Sequence, residues 1–157
     1  MLIYEKGDLL ASDCQFICHQ VNCQGVMGSG IAKQIRDKYS FVYDDYKRAL
    51  DYENAKLGHI VISYETGVNG REIISMFAQE FYGRKGKYTD YDAFKTCLEH
   101  VARHVNKYSY DAHPDWKVGF PKYIGCGLAG GDWNIVEPML KEFSEKIKFD
   151  TVIISLE

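Results

Sequence analysis

The chain has 157 residues, 46% of them hydrophobic and 26% charged, with only three prolines. That composition suits one ordinary domain, residues 1–157, with a real core, and it excludes a disordered or low-complexity chain. The formal net charge of −3 gives no bulk attraction to long nucleic acid, so a small anionic ligand would have to be held by local backbone dipoles.

Five cysteines occur, at 14, 18, 23, 97 and 126. They are odd in number and have no CxxC spacing, and the opening MLIYEKGDLL lacks the apolar stretch of a secretory signal. Together these features predict free thiols in a reducing cytoplasm. No apolar run approaches membrane-spanning length. Cys18, His19 and Cys23 lack a fourth ligand and Cys18 sits in an apolar strand, so metal-independent chemistry without a cofactor is expected.

In chain order, a strand is predicted over Leu2 to Glu5, followed by a turn at Gly7-Asp8. A second strand covers Gln15 to Asn22 and ends in a glycine-rich loop. A helix starts near Gly28 or Gly30, with Ile31, Ala32, Ile35 and Tyr39 at helical spacing. Another helix covers Val42 to Tyr52. Strands at His59 to Tyr64 and Glu72 to Phe77 flank the Asn69-Gly70 turn signal. An exposed loop follows at Gly83 to Lys87. A long helix then runs from Asp90 to Asn106, with Thr89 as its expected N-cap and Phe94, Leu98, Val101 and Val105 as its buried stripe. Lys117 to Pro121 forms a short strand, Trp133 to Ile147 a helix and Thr151 to Leu156 a closing strand. This alternation implies a three-layer α/β/α fold around a central mixed, mostly parallel sheet.

Two strand-to-helix junctions are glycine-rich. The first is Asn22-Cys-Gln-Gly-Val-Met-Gly-Ser-Gly-Ile-Ala32 and the second is Gly125-Cys-Gly-Leu-Ala-Gly-Gly-Asp-Trp133. Glycine lets a ligand approach the backbone, and the helix start behind each loop offers unpaired N–H groups and partial positive charge to a phosphate. One such loop is as often a tight turn as a site, whereas two at the carboxyl edge of one sheet could clasp a diphosphate. Neither loop is a Walker A motif, and neither fits a dinucleotide-binding GxGxxG unit.

Asp8 could accept from an adenine amino group, although a turn aspartate fits the local sequence better. For acid–base work the candidates are His19 and Asp132, with Glu80 behind them. A structural histidine is an equal reading for His19. Asp132 before Trp133-Asn134 also fits an ordinary N-cap, which the local sequence favours, and the two roles are compatible. Cys126 lies near a helix start that could lower a thiol pKa, but a small loop residue is the preferred reading. Lys85 and Lys87 read as a solvated loop beside the aromatic stretch Phe81, Tyr82 and Tyr88.

Gly7-Asp8-Leu9, Val21-Asn22 with Met27-Gly-Ser-Gly-Ile-Ala32, and Ile124-Gly-Cys-Gly-Leu-Ala-Gly-Gly-Asp-Trp133 together resemble the macrodomain family. The motifs come in family order and span nearly the whole chain. The resemblance points to the branch of ADP-ribose 1″-phosphate phosphatases, terminal ADP-ribose protein glycohydrolase and DNA-directed antitoxin macrodomains. It implies that Asp8 and the Leu9 backbone read adenine. Gly28, Ser29, Gly30 and Ile31, with Gly125, Cys126, Gly127, Leu128 and Ala129, would hold the diphosphate. Asn22 would sit near the distal ribose, and His19 occupies a position where that branch carries a histidine.

One departure matters. The glycohydrolases of that branch use a lysine after the fourth strand, where this chain has Phe77-Ala78-Gln79-Glu80. Glu80 is aligned with the lysine, and Ala129 with the glycohydrolase aspartate. A lysine-based covalent sugar intermediate is therefore not expected. The resulting expectation is an ADP-ribose-binding hydrolase of a derivative such as ADP-ribose 1″-phosphate. The alternatives are a non-catalytic ADP-ribose reader, or removal of ADP-ribose from modified protein or DNA without the lysine. The partner is thus an ADP-ribose derivative or an ADP-ribosylated macromolecule, and no membrane.

Overall fold

A computed structural model describes residues 1–157. Its strands are β1 (Leu2–Lys6), β2 (Phe16–Asn22), β3 (Ile60–Tyr64), β4 (Glu72–Gln79), β5 (Lys117–Pro121) and β6 (Asp150–Ser155). Its helices are α1 (Gly30–Lys38), α2 (Ser40–Tyr52), α3 (Tyr91–Val105) and α4 (Trp133–Glu145), with a 3-10 turn at Leu9–Ala11. All six strands form one sheet in the order β1-β6-β5-β2-β4-β3. Every pairing is parallel except β3 with β4, the two strands joined through the Asn69-Gly70 turn. Asn69 adopts φ 53°, the left-handed conformation that asparagine tolerates in a tight turn.

The sheet separates two apolar layers. On one face, Phe16, Cys18, Ile74, Met76, Val118 and Phe120 pack under α3 and α4. On the other, Ile17, Val21, Ile73, Phe77 and Val152 pack with Ile35, Val42 and Tyr46 of α1 and α2. The layers follow from strand periodicity, because alternate residues of β2 and β4 enter opposite faces. The predicted α3 stripe of Phe94, Leu98, Val101 and Val105 is wholly buried. The expected three-layer α/β/α architecture with a mixed, mostly parallel sheet is the observed one.

Two local expectations change. The N-cap of α3 is Asp90, whose side chain accepts from Ala93 N, while Thr89 turns inward and is buried. β4 also runs two residues further than its expected end at Phe77, to Gln79. Both shifts set up the cleft at the carboxyl ends of the parallel strands.

Candidate functional site

A cleft of about 380 Å³ opens at that carboxyl edge. Its walls come from the β2–α1 loop (Asn22, Val26, Gly28, Ser29), the β4–α3 loop (Tyr82, Gly83, Arg84) and the β5–α4 loop (Leu128, Ala129). Gln20 and Gln79 lie at the strand ends beneath them. This volume falls within the range of small-molecule sites, and its position at the strand ends is where open α/β sheets bind ligands.

Asn22 shapes the first loop from inside. Its Oδ1 accepts from Gln24 N at 2.9 Å and Val26 N at 3.4 Å, and its Nδ2 donates to Val26 O at 2.8 Å. The buried Tyr46 hydroxyl lies 2.6 Å from Asn22 O and accepts from Gly25 N at 3.0 Å. An asparagine Nδ2 carries two hydrogens, so one remains for a ligand. Beyond the loop, α1 begins at Gly30 with Ser29 making no side-chain cap. The first backbone bond of the helix is donated by Lys33 N to Ser29 O, and the N–H groups of Gly30, Ile31 and Ala32 meet no acceptor in the protein. Such a turn presents donors and positive dipole charge.

The second loop is tied down through its carbonyls. Ala129 O accepts from Tyr88 N at 2.6 Å and Thr89 N at 3.1 Å, and Gly125 O accepts from Gly131 N at 2.8 Å. The N–H groups of Gly127, Leu128 and Ala129 meet no acceptor in the protein. Beneath this loop, Thr89 Oγ1 donates to Gly125 O at 2.5 Å and accepts from Gln20 Nε2 at 2.9 Å. Gln20 Nε2 also donates to Gln79 Oε1 at 2.8 Å. A Cβ on Gly125 would lie 2.7 Å from Gln20 Oε1, and its φ is +73°, so glycine is required there. One buried polar chain thus joins β2, β4, α3 and the second loop.

Of the residues expected in the site, Asn22, Gly28, Ser29, Leu128 and Ala129 line the cleft. Gly30, Ile31 and Gly127 adjoin these walls in sequence. Gly125 supports the second loop from below. Cys126 is folded back, its Sγ donating to Ile124 O at 3.4 Å. Burial, aided by the charge of Asp132, pushes its thiol up to about 11. It holds no ready thiolate. Asp8 is exposed at the end of β1 and caps the 3-10 turn through Leu10 N at 3.0 Å, and Leu9 is buried in the core. Neither lines the cleft, although β1 ends at the same sheet edge.

The expected acid–base pair is not brought together there. His19 is wholly buried on the α1–α2 face of the sheet, 2.8 Å from Ser75 Oγ through Nε2, with Nδ1 unpartnered. Burial lowers its pKa to about 3, so the ring is neutral. Its strand position is the reason: the cleft opens over the carboxyl end of β2, where Gln20, Val21 and Asn22 line it, and His19 lies one residue deeper along the strand. His19 thus stands in the core rather than on the cleft wall. Asp132 is exposed and caps α4, accepting from Asn134 N at 2.9 Å, and it does not line the cleft. Glu80 faces solvent at the rim, beside Gln24 Nε2 and Cys23.

Gln20, Gln79, Thr89 and Arg84 were not anticipated as site residues. The legible signal for the first two was polarity at the carboxyl ends of strands that are mostly apolar. No cluster of three or more His, Cys, Asp or Glu side chains is placed to hold a metal ion. No helix is long and apolar enough to cross a membrane.

Parallel strands delivering two loops with unengaged N–H groups to one cleft define an α/β domain with a ligand-sized site at its strand ends. The Macro domain family model matches residues 18–140, and the chain belongs to that family. It is 30% identical over 98% of its length to a DNA ADP-ribosyl glycohydrolase of Mycobacterium tuberculosis, but spans only 42% of that relative. It is 29% identical to an ADP-ribose 1″-phosphate phosphatase of Saccharomyces cerevisiae, covering 94% of this chain and 96% of the relative. Among solved structures, the macrodomain of Mycobacterium tuberculosis DarG superposes with a TM-score of 0.80 at 24% identity, covering 99% and 97% of the two chains. A Bacteroides thetaiotaomicron protein gives 0.77 at 28% identity, covering 98% of each.

Proposed function

We propose that this chain binds ADP-ribose across the cleft and hydrolyses an ADP-ribose derivative such as ADP-ribose 1″-phosphate. The observation that carries the reading is the pair of unengaged N–H rows, Gly30 to Ala32 and Gly127 to Ala129, at the two glycine loops of the cleft. A diphosphate between them would accept from both rows. The end-to-end match to a relative named as a phosphatase supports the substrate class. In this reading Gly28 to Ile31 and Gly127 to Ala129 hold the diphosphate, and Gly125 and Cys126 shape the second loop. Asn22 gives its remaining Nδ2 hydrogen to the distal ribose, and Asp8 with the Leu9 backbone receives the adenine at the end of β1. Asp132 orients the second loop by fixing the start of α4.

Hydrolysis needs a positioned water and stabilisation of developing charge. Asn22 and Gln79 are cleft side chains able to position the water, and neither is a general base near neutral pH. A specific observation therefore favours a second reading, an ADP-ribose reader without turnover: no lysine, histidine or carboxylate lines the cleft. Calorimetry with ADP-ribose, paired with phosphate release from ADP-ribose 1″-phosphate and gel assays on ADP-ribosylated DNA and protein, separates the possibilities. Binding with phosphate release supports the first reading. Binding without turnover of any of these substrates selects the reader, and absence of binding removes both.

A further inference from the structure

Arg84 is the single charged residue lining the cleft. No carboxylate lies within salt-bridge distance of it, and its guanidinium makes no hydrogen bond within the protein. In a chain of net charge −3, a cation left unneutralised in a cleft is available to an anionic ligand. The segment carrying it is anchored. Tyr88 N and Thr89 N both donate to Ala129 O, the Tyr88 hydroxyl donates to Lys85 O, and a Cβ on Gly130 would lie 2.1 Å from Gly86 O. The Arg84 loop is thus packed against the second glycine loop.

Strand order says which end of a ligand this cation meets. Moving across the sheet, β1 leads to Asp8, β5 to the second glycine loop, β2 to the first, and β4 to the Arg84 loop. From β1 to β4 is four interstrand steps, about 19 Å at ~4.8 Å each. An extended nucleotide with adenine at Asp8 and its diphosphate between the glycine loops would bring its distal sugar to Arg84. The diphosphate already has two rows of N–H donors, so Arg84 is left for a second anion beyond it.

We propose that Arg84 is a specificity-determining residue that selects ADP-ribose derivatives bearing an anionic substituent, such as a phosphate, on the distal ribose. This rests on the ADP-ribose reading above. A guanidinium offers paired donors matched to phosphate, and such charge-assisted pairs are stronger than neutral ones.

The test uses three ligands that are not turned over: ADP-ribose, neutral 1″-O-methyl ADP-ribose and a 1″-phosphonomethyl analogue. Calorimetry on the wild-type chain is expected to give at least a ten-fold preference for the phosphonate over the methyl ligand. In Arg84→Gln that preference falls to within about two-fold, with ADP-ribose affinity unchanged. Arg84→Lys keeps part of it, because the charge remains without the paired donors. Arg84 is exposed, so these variants should fold, and their thermal midpoints verify this. A phosphonate preference that survives in Arg84→Gln overturns the proposal, as does equal weakening of all three ligands. A wild-type chain that binds none of them overturns the ADP-ribose reading itself, a result distinct from loss of selectivity alone.

Discussion

A Cβ added at Gly28 would meet only Val26 Cγ1, at 3.6 Å, and Gly28 does not have the left-handed φ that demands glycine. Folding therefore leaves this position open, and its glycine keeps the cleft wall low for a ligand. Gly28→Glu should change unfolding free energy by no more than about 0.5 kcal/mol, yet lower ADP-ribose affinity at least ten-fold through bulk and like charge. Urea denaturation and calorimetry on one preparation test both halves, and unchanged affinity would remove Gly28 from the ligand path. His19 gives the opposite lesson, since it was legible as a motif residue but its direction was not. A parallel strand buried on both faces carries no polar alternation to say which side a histidine takes. With its pKa lowered from 6.5 to about 3, the unfolded state binds the extra proton between those values. Its contribution to stability is therefore complete above about pH 6.5 and is lost as pH falls toward 3. The slope approaches about 1.4 kcal/mol per pH unit. Urea midpoints from pH 4 to 7 should flatten in His19→Gln relative to wild type. An activity profile whose limb near pH 6.5 vanished in that variant would instead return His19 to the chemistry.

At the scale of elements, the helix starts separate capping from catalysis. Asp132 was legible as an N-cap candidate, and its side chain does cap α4. Asp132→Ala should cost about 1 kcal/mol of stability, whereas Asp132→Asn should cost little, because asparagine caps equally well. If Asp132 acts only through the helix start, turnover in Asp132→Asn stays near wild type. A loss of 100-fold or more in kcat with stability retained would make it a catalytic carboxylate. The start of α3 was legible to within one residue, and that single residue decided the site. Thr89 and Asp90 are both good caps by type; tertiary pairing of Thr89 with Gly125 O and Gln20 Nε2 drew it inward and left Asp90 to the helix. Thr89→Val keeps the shape but strands those buried partners, at a cost of about 1–3 kcal/mol. It should loosen the second glycine loop as well, seen as faster amide exchange at Gly125 to Ala129. Unchanged exchange there would mean that the loop holds its shape without the threonine.

At the scale of the molecule, periodicity in the sequence delivered the elements and the layering, and strand order was the missing quantity. Apolar runs separated by turn residues mark where strands lie, but nothing local says that β5 sits between β6 and β2. Without that order the two glycine loops could be named, but the third wall could not. Gln79 and Arg84 stayed outside the reading because each depends on β4 lying beside β2. The same order makes the cleft a joint of the fold, since its walls come from loops that lead into α1, α3 and α4. A ligand spanning it binds only the folded chain and should stabilise the molecule as a whole. At 100 times Kd the gain is about 2.7 kcal/mol, and each kcal/mol is worth about 2–4 °C in a domain of this size. ADP-ribose at that excess should therefore raise Tm by about 5–11 °C in the wild-type chain. Arg84→Gln should show the same rise, since ADP-ribose lacks the distal anion, while Gly28→Glu should show little. If ADP-ribose left Tm unmoved in all three, the cleft would not be its site, and the glycine loops would serve only as tight connections between strand and helix.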